Sequence, residues 1–322
     1  MLKGFAYTTP TQGRISIGRT VEHGGKNLPK KEDFIAITSQ VKRDGEWIAH
    51  PLHEHCVKEQ KPESASAKLR QIPVRLMFND PDLSFREQYE AFYDSRQLCV
   101  GDGEKARRRV DGRIEELACP GPDNCPFAAA YRCQPFGRLN VQIEGQEDPL
   151  STFIFRTRGW NSIRTLRTKL EYLRAALGGK LAGLPLLLVM RAKSSRQSLN
   201  TPFFFLDLVF RDATPAGIAQ AVKERDAHVA TLKEAGFDLE ALEAAARSCL
   251  RNGAFEETDE DALEYEDLVL APTGHSGQTD TTDLRGSAGD RVRARPRALA
   301  QLEAGSPPQP ASAAGGETAV AA

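Results

Sequence analysis

The chain has 322 residues, with 43 Lys and Arg against 44 Asp and Glu, and 40% apolar and 27% charged residues. That is the composition of a soluble globular protein, long enough to bury a sizeable core. No run of about 18 apolar residues occurs, which excludes an apolar membrane-spanning helix.

The opening MLKGFAYTTPTQGR lacks the apolar core and cleavage site of a signal peptide, so the expected compartment is the cytoplasm. Thiols stay reduced there, and clustered cysteines read as metal ligands or catalytic groups before disulfides.

Residues 13–47 alternate as short strands, GRISIGRTV and DFIAITSQV, with His23-Gly24-Gly25-Lys26-Asn27 as the turn. Gly45 marks another turn before Glu46-Trp47-Ile48, and IPVRLMF (72–78) is a strand closed by Asn79-Asp80-Pro81. Residues 84–94 read as a short helix or loop. The segment 99–138 is rich in Gly, Pro, Cys and Arg and too poor in aliphatics to form much core alone, so it needs a staple. LNVQI (139–143) and STFIFRTR (151–158) read as a hairpin over EGQEDP.

Ser162 opens a helix whose Ile163, Leu166, Leu170, Leu173 and Leu177 share one face, and Gly178-Gly179 stops it. LPLLLVMRAK (184–193) and TPFFFLDLVFR (201–211) are two apolar strands expected at the centre of a sheet. Thr214-Pro215 caps a helix running to about Ala235. Residues 238–251 form a last helix, with Cys249 on its apolar face. The expected fold is therefore α+β: a mostly antiparallel sheet with several helices over 1–255, including a metal-binding insert at about 99–138. An acidic linker and a disordered tail occupy 256–322.

Cys99, Cys119, Cys125 and Cys133 fall in the pattern C-x19-C-x5-C-x7-C. Four thiolates make a tetrahedral shell for a soft cation, and the Pro and Gly around Cys119 and Cys125 favour turns that aim close ligands at one centre. The expected occupant is structural zinc, since a closed four-thiolate shell leaves no open position for catalysis. An iron–sulfur cluster and ordinary free cysteines are the alternatives. His50, His53, His55 and Cys56 could supply a ligand in place of Cys99 or form a hydrolytic site, or simply be a polar loop.

The expected nucleic-acid or partner-binding residues are Arg156, Arg158, Trp160, Asn161, Arg164, Arg167, Lys169, Arg174, Arg191, Lys193 and Arg196. Arg164, Arg167 and Arg174 lie close to one line on the helix, away from its apolar stripe, and Trp160 could stack on a base. A solvated helix face is the plain alternative. No phosphate loop, dinucleotide fingerprint or nucleophile elbow occurs, so no nucleotide cofactor is expected.

The runs CPGPDNC-x7-C-x3-GRLNV, TFIFRTRGWNSIRTLRTKLEYL and RAKSSRQSLNTPFFFLDLVFR resemble a family carried by phages and integrative conjugative elements, the recombination directionality factor-like proteins, often labelled metal-binding or hydrolase-like. The resemblance covers roughly residues 1–255 and is strongest over 99–211. It implies a non-catalytic DNA-recombination accessory protein that partners a site-specific integrase, its DNA, or both, and biases the reaction toward excision. A single-strand DNA-binding partner of an annealing recombinase and a metal-dependent hydrolase or nuclease are the alternatives.

Overall fold

The computed structural model describes residues 4–5, 8–23, 26–44, 46–60, 68–93, 96–194, 202–251 and 253–255. The chain divides into two compact units, Met1–His275 and Ser276–Ala322, and every described residue belongs to the first. The expected disordered tail over 256–322 lies outside the described residues.

In chain order the strands and helices begin with β1 (Gly4–Phe5), β2 (Thr11–His23), β3 (Lys26–Arg43), β4 (Glu46–Ala49) and α1 (Pro51–Gln60). Next come β5 (Gln71–Arg75), α2 (Pro81–Ser84), β6 (Phe85–Tyr93), β7 (Arg96–Gly101), β8 (Lys105–Val110) and β9 (Arg113–Ala118). A 3-10 turn at Pro122–Asn124 precedes α3 (Pro126–Tyr131), β10 (Gln134–Ile143), β11 (Thr152–Thr157) and α4 (Trp160–Ala176). The series ends with β12 (Pro185–Lys193), β13 (Phe203–Val209), α5 (Pro215–Glu234), α6 (Leu239–Arg251) and β14 (Gly253–Phe255).

The architecture is α+β and mostly antiparallel, as the patterning predicts. One path runs β4-β3-β2-β11-β10-β6-β7-β8-β9, and only the β11–β2 step along it is parallel. The hairpin expected over EGQEDP is the β10–β11 pair, with Leu139 opposite Phe155. Strand β10 serves two neighbours along one edge. Gln134 to Leu139 pair with β6, and Gln142 and Ile143 pair with β5. Through β5 the sheet continues into β12 and β13.

Two expectations are corrected, and the insert over 99–138 gains detail. Residues 85–93 are strand, not helix or loop. Within 99–138 the chain forms β8 and β9 and completes β7, a meander stacked onto β6. Among the described strands β13 pairs with β12 alone and so lies at an edge, and α4 lies along it. There the Leu206 N–H donates to Ser162 Oγ at 3.4 Å, so the helix covers part of an edge that would otherwise invite pairing.

The core forms where α4 meets the sheet. Ile163, Leu166, Leu170 and Leu173 pack with Phe85, Leu139, Phe155, Leu206 and Leu208. Gly137 permits that approach: a Cβ there would stand 2.9 Å from Phe85 and 3.0 Å from Ile163. At its C-terminus Gly178 (φ 60°) and Gly179 (φ 82°) adopt the left-handed geometry that ends the helix. Thr214 Oγ1 accepts from the Gly217 N–H at 3.1 Å, confirming the expected cap of α5. Cys249 is half-buried and outside the core cluster. Leu242, Ala246 and Leu250 of α6 make the contact with Met77, Phe78 and Leu83.

Candidate functional site

The four cysteines converge. Cys99 sits on β7, opposite Ala91 of β6 and Arg108 of β8. Two residues on, Gly101 faces the same way, and its missing side chain makes room for a second thiol: a Cβ there would lie 2.7 Å from Cys119 Sγ. Cys119 leaves β9 with its N–H donating to the Glu104 carbonyl at 2.9 Å. Cys125 closes the 3-10 turn and opens α3. Arg132, at φ 47°, then reverses the chain so that Cys133 returns to the cluster before β10 begins. All four pack with Ala91, Ala106 and Phe127.

Burial and neighbouring charge act together on these thiols. Burial pushes Cys133 up to about 12, and the neighbouring Cys99, Cys119 and Cys125 push in the same direction. Burial also raises Cys99, while Arg108 pulls it down. Arg108 is held over the Phe127 ring at 3.9 Å and reaches Cys125 Sγ at 3.8 Å. Four soft donors that repel one another as thiolates are the kind of chemistry a soft divalent cation would satisfy. Among the described residues, no group of three or more His, Cys, Asp or Glu side chains is placed so that it could hold a metal ion.

The histidine segment makes these contacts. His50 lies edge-on to Phe153 at 4.9 Å, and its Nδ1 accepts from the Leu52 N–H at 3.2 Å. His53 Nδ1 accepts from the Ile37 N–H at 3.3 Å, which ties α1 to β3. His55 pairs with Glu59 one turn on at 3.3 Å. Cys56 is a core residue, 1% exposed, with its thiol raised to about 11 chiefly by burial.

The basic segment separates into distinct roles. Arg156 and Arg158 are half-buried at the end of β11. Trp160 opens α4 and is 59% exposed, touching only the edge of Tyr89 among described rings, at 6.3 Å. Asn161 is half-buried beside it. Arg164 and Arg174 are exposed on α4, and Lys193 is exposed at the end of β12. Arg167 departs from the expected exposed line. It turns inward to Glu87, and its Nη1 lies 2.7 Å from Asp82 and 3.2 Å from Glu171. Lys169 and Arg191 converge on Asp207 at 4.0 and 3.5 Å. Arg196 lies outside the described residues.

A cavity of about 360 Å³, missed by sequence reasoning, opens between β5, the β10–β11 loop and α5–α6. Arg75, Glu144 and His228 line its polar side. Its walls come from five separate stretches of chain, so no local motif marks it.

A family model described as Gp3-like, recombination directionality factor-like, matches residues 12–211, more than half of the chain. The chain belongs to that family, and so to the recombination accessory proteins. No curated protein and no solved structure matches. Among the described residues no helix is long and apolar enough to cross a membrane.

Proposed function

We propose that this chain is a directionality factor that acts in the cytoplasm on a site-specific integrase of a mobile element. It binds the integrase on its attachment-site DNA and favours the synaptic arrangement that leads to excision. That is a population shift driven by differential binding, and it needs no chemistry from the factor itself. In this reading zinc on Cys99, Cys119, Cys125 and Cys133 acts as a staple, and Trp160, Arg164 and Arg174 meet the integrase or its DNA.

One observation carries the reading. Trp160 stands exposed at the head of α4, against Tyr89, while the β7–β8 turn reaches the same ring: a Cβ on Gly103 would lie 3.7 Å from Tyr89. An exposed tryptophan flanked by arginines is the composition of an interface anchor. The non-catalytic reading is supported by the histidines, whose ring nitrogens serve backbone and neighbouring groups.

The test mixes the full-length chain with the integrase of its own element and attachment-site DNA. The expected result is a further retarded integrase–DNA complex and a shift of product toward excision. Trp160→Ala and the double change Arg164→Glu with Arg174→Glu should weaken both. No change in complex or product with the unaltered chain would overturn the proposal. Tight binding of single-stranded DNA without integrase would favour the annealing-partner reading instead.

A further inference from the structure

The cavity between β5, the β10–β11 loop and α5–α6 has an apolar body and one polar wall. Met77, Ile143, Leu232, Phe237, Leu239 and Leu242 supply the apolar lining. Its volume is about 360 Å³. An engineered apolar cavity of about 150 Å³ takes up benzene, so this space accommodates two fused rings. Phe237 and Met77 favour an aromatic occupant, because an aromatic ring and a thioether both pack well against ring faces and edges.

Most of the polar wall is already engaged. Arg75 Nη1 donates to the Gly183 carbonyl at 2.7 Å, and its Nη2 lies 3.0 Å from Glu144. Glu144 also holds Arg211. Gln142 donates to the Pro149 carbonyl at 2.6 Å, and Gln146 donates to the Asp148 and Ser151 carbonyls at 2.6 and 2.8 Å. His228 is different. It lines the cavity, is half-buried, and has no hydrogen-bond partner among the described residues. Gly183, at φ 78°, leaves the ring uncovered, since a Cβ there would lie 3.1 Å from His228 Cδ2. Burial, with Arg75 nearby, holds the imidazole below its ordinary value, so near neutral pH it offers one donor and one acceptor. Arg75 and Glu144 compensate one another, and Glu147, which also lines the cavity, is exposed to water. An ionic ligand would thus lose its hydration without gaining a free counter-charge.

We propose that this cavity is a binding site for an uncharged two-ring aromatic molecule whose single N–H or O–H bonds to His228. The apolar lining takes the rings, and the imidazole fixes their orientation. The wall from His228 to Leu242 lies beyond residue 211, where the family match ends. The site is therefore not contained in the matched stretch, and it stands apart from the function proposed above.

The test titrates 5-fluoroindole with the full-length chain and reads binding by fluorine NMR. The signal should broaden saturably, and unlabelled indole should restore it. The competitor 1-methylindole lacks the N–H, while indole-3-carboxylate and tryptamine carry a charge. Each should compete roughly fivefold less well than indole, or worse. His228→Leu should weaken 5-fluoroindole by about the same factor and change 1-methylindole little. Leu232→Trp, at a half-buried position of α5, fills the cavity and should abolish binding, with an unfolding curve to show that the variant is folded. Leu242→Trp on α6 takes its place if it is not. Absence of saturable binding, or binding that survives the tryptophan, would overturn the proposal. So would charged indoles that compete as well as indole, or full-strength 5-fluoroindole binding by His228→Leu.

Discussion

Arg138 of β10 and Glu90 of β6 meet as a two-pronged ion pair beneath the sheet, with Nη2 3.0 Å from Oε2 and side chains 2 and 1% exposed. The Arg138 guanidinium also lies 4.3 Å from the centre of the Phe136 ring, and Gln88 donates to Glu90 at 2.8 Å. Two charges taken this far out of water are costly, and their mutual pairing offsets much of that cost. Glu90→Leu alone should therefore cost about 3–5 kcal/mol, since it removes the carboxylate paired with a buried cation. Glu90→Leu together with Arg138→Met should recover most of that loss. Urea unfolding of the two variants checks this, and a double variant no more stable than the single one would refute it.

The same pair shows why part of the fold was hidden in the sequence. FREQYEAFY reads as a helix or loop because both of its faces mix charge with apolar groups. A strand buried on an apolar face and an ionic one has no clean alternation, and Arg138, 48 residues away, is what makes Glu90 tolerable. The meander β7-β8-β9 was equally obscure, because KARRRV and RIEELA carry few apolar residues and gain their strand character from pairing. By contrast, the face of α4 and the Thr214-Pro215 cap are set by neighbours within a turn or two, and they were legible. So was the convergence of Cys119, Cys125 and Cys133, which turn residues hold close along the chain. The inward turn of Arg167 was not, since its partner Glu87 is 80 residues away.

If the four thiols hold zinc, purified chain should carry about one equivalent of metal. Cys125→Ser should lower that content and the thermal midpoint together, and a chelator should do the same to the unaltered chain. Gly101→Ala should act like a milder ligand loss, because its Cβ would collide with Cys119 Sγ at 2.7 Å. Metal analysis by emission spectroscopy with parallel unfolding curves checks both. A metal-free chain as stable as its Cys125→Ser variant would remove the staple.

The half-buried histidines make stability depend on pH in a defined direction. Burial lowers His50, His53 and His228 below the ordinary value of 6.5. Glu54 opposes this at His53 without reversing it. The folded chain therefore binds fewer protons at these rings than the unfolded chain does. The stability carried by the neutral imidazoles is complete above 6.5 and is lost as the pH falls from there through the lowered folded values. His53→Asn keeps an acceptor for the Ile37 N–H but cannot titrate. The thermal midpoint of the natural chain should drop between about pH 7.5 and about pH 5, and that of His53→Asn should drop less. Equal drops would show that His53 is not one of the titrating groups.

The two neighbouring arginines of α4 should separate stability from recognition. Arg167 is half-buried, and its guanidinium holds Glu87, Asp82 and Glu171 together, joining α4 to β6 and α2. Burial pushes Glu87 upward and the Arg167 contact pulls it back down. Arg167→Met therefore leaves a half-buried carboxylate without its counter-charge, at a cost of about 1–3 kcal/mol. Arg164, one turn away and exposed, makes no ion pair among the described residues. Arg164→Glu should leave the unfolding curve within about 0.5 kcal/mol of the original while weakening the integrase–DNA complex. If Arg164→Glu instead unfolds the chain, or if Arg167→Met leaves stability untouched and abolishes the complex, the division of labour drawn from their burial and ion pairs is reversed.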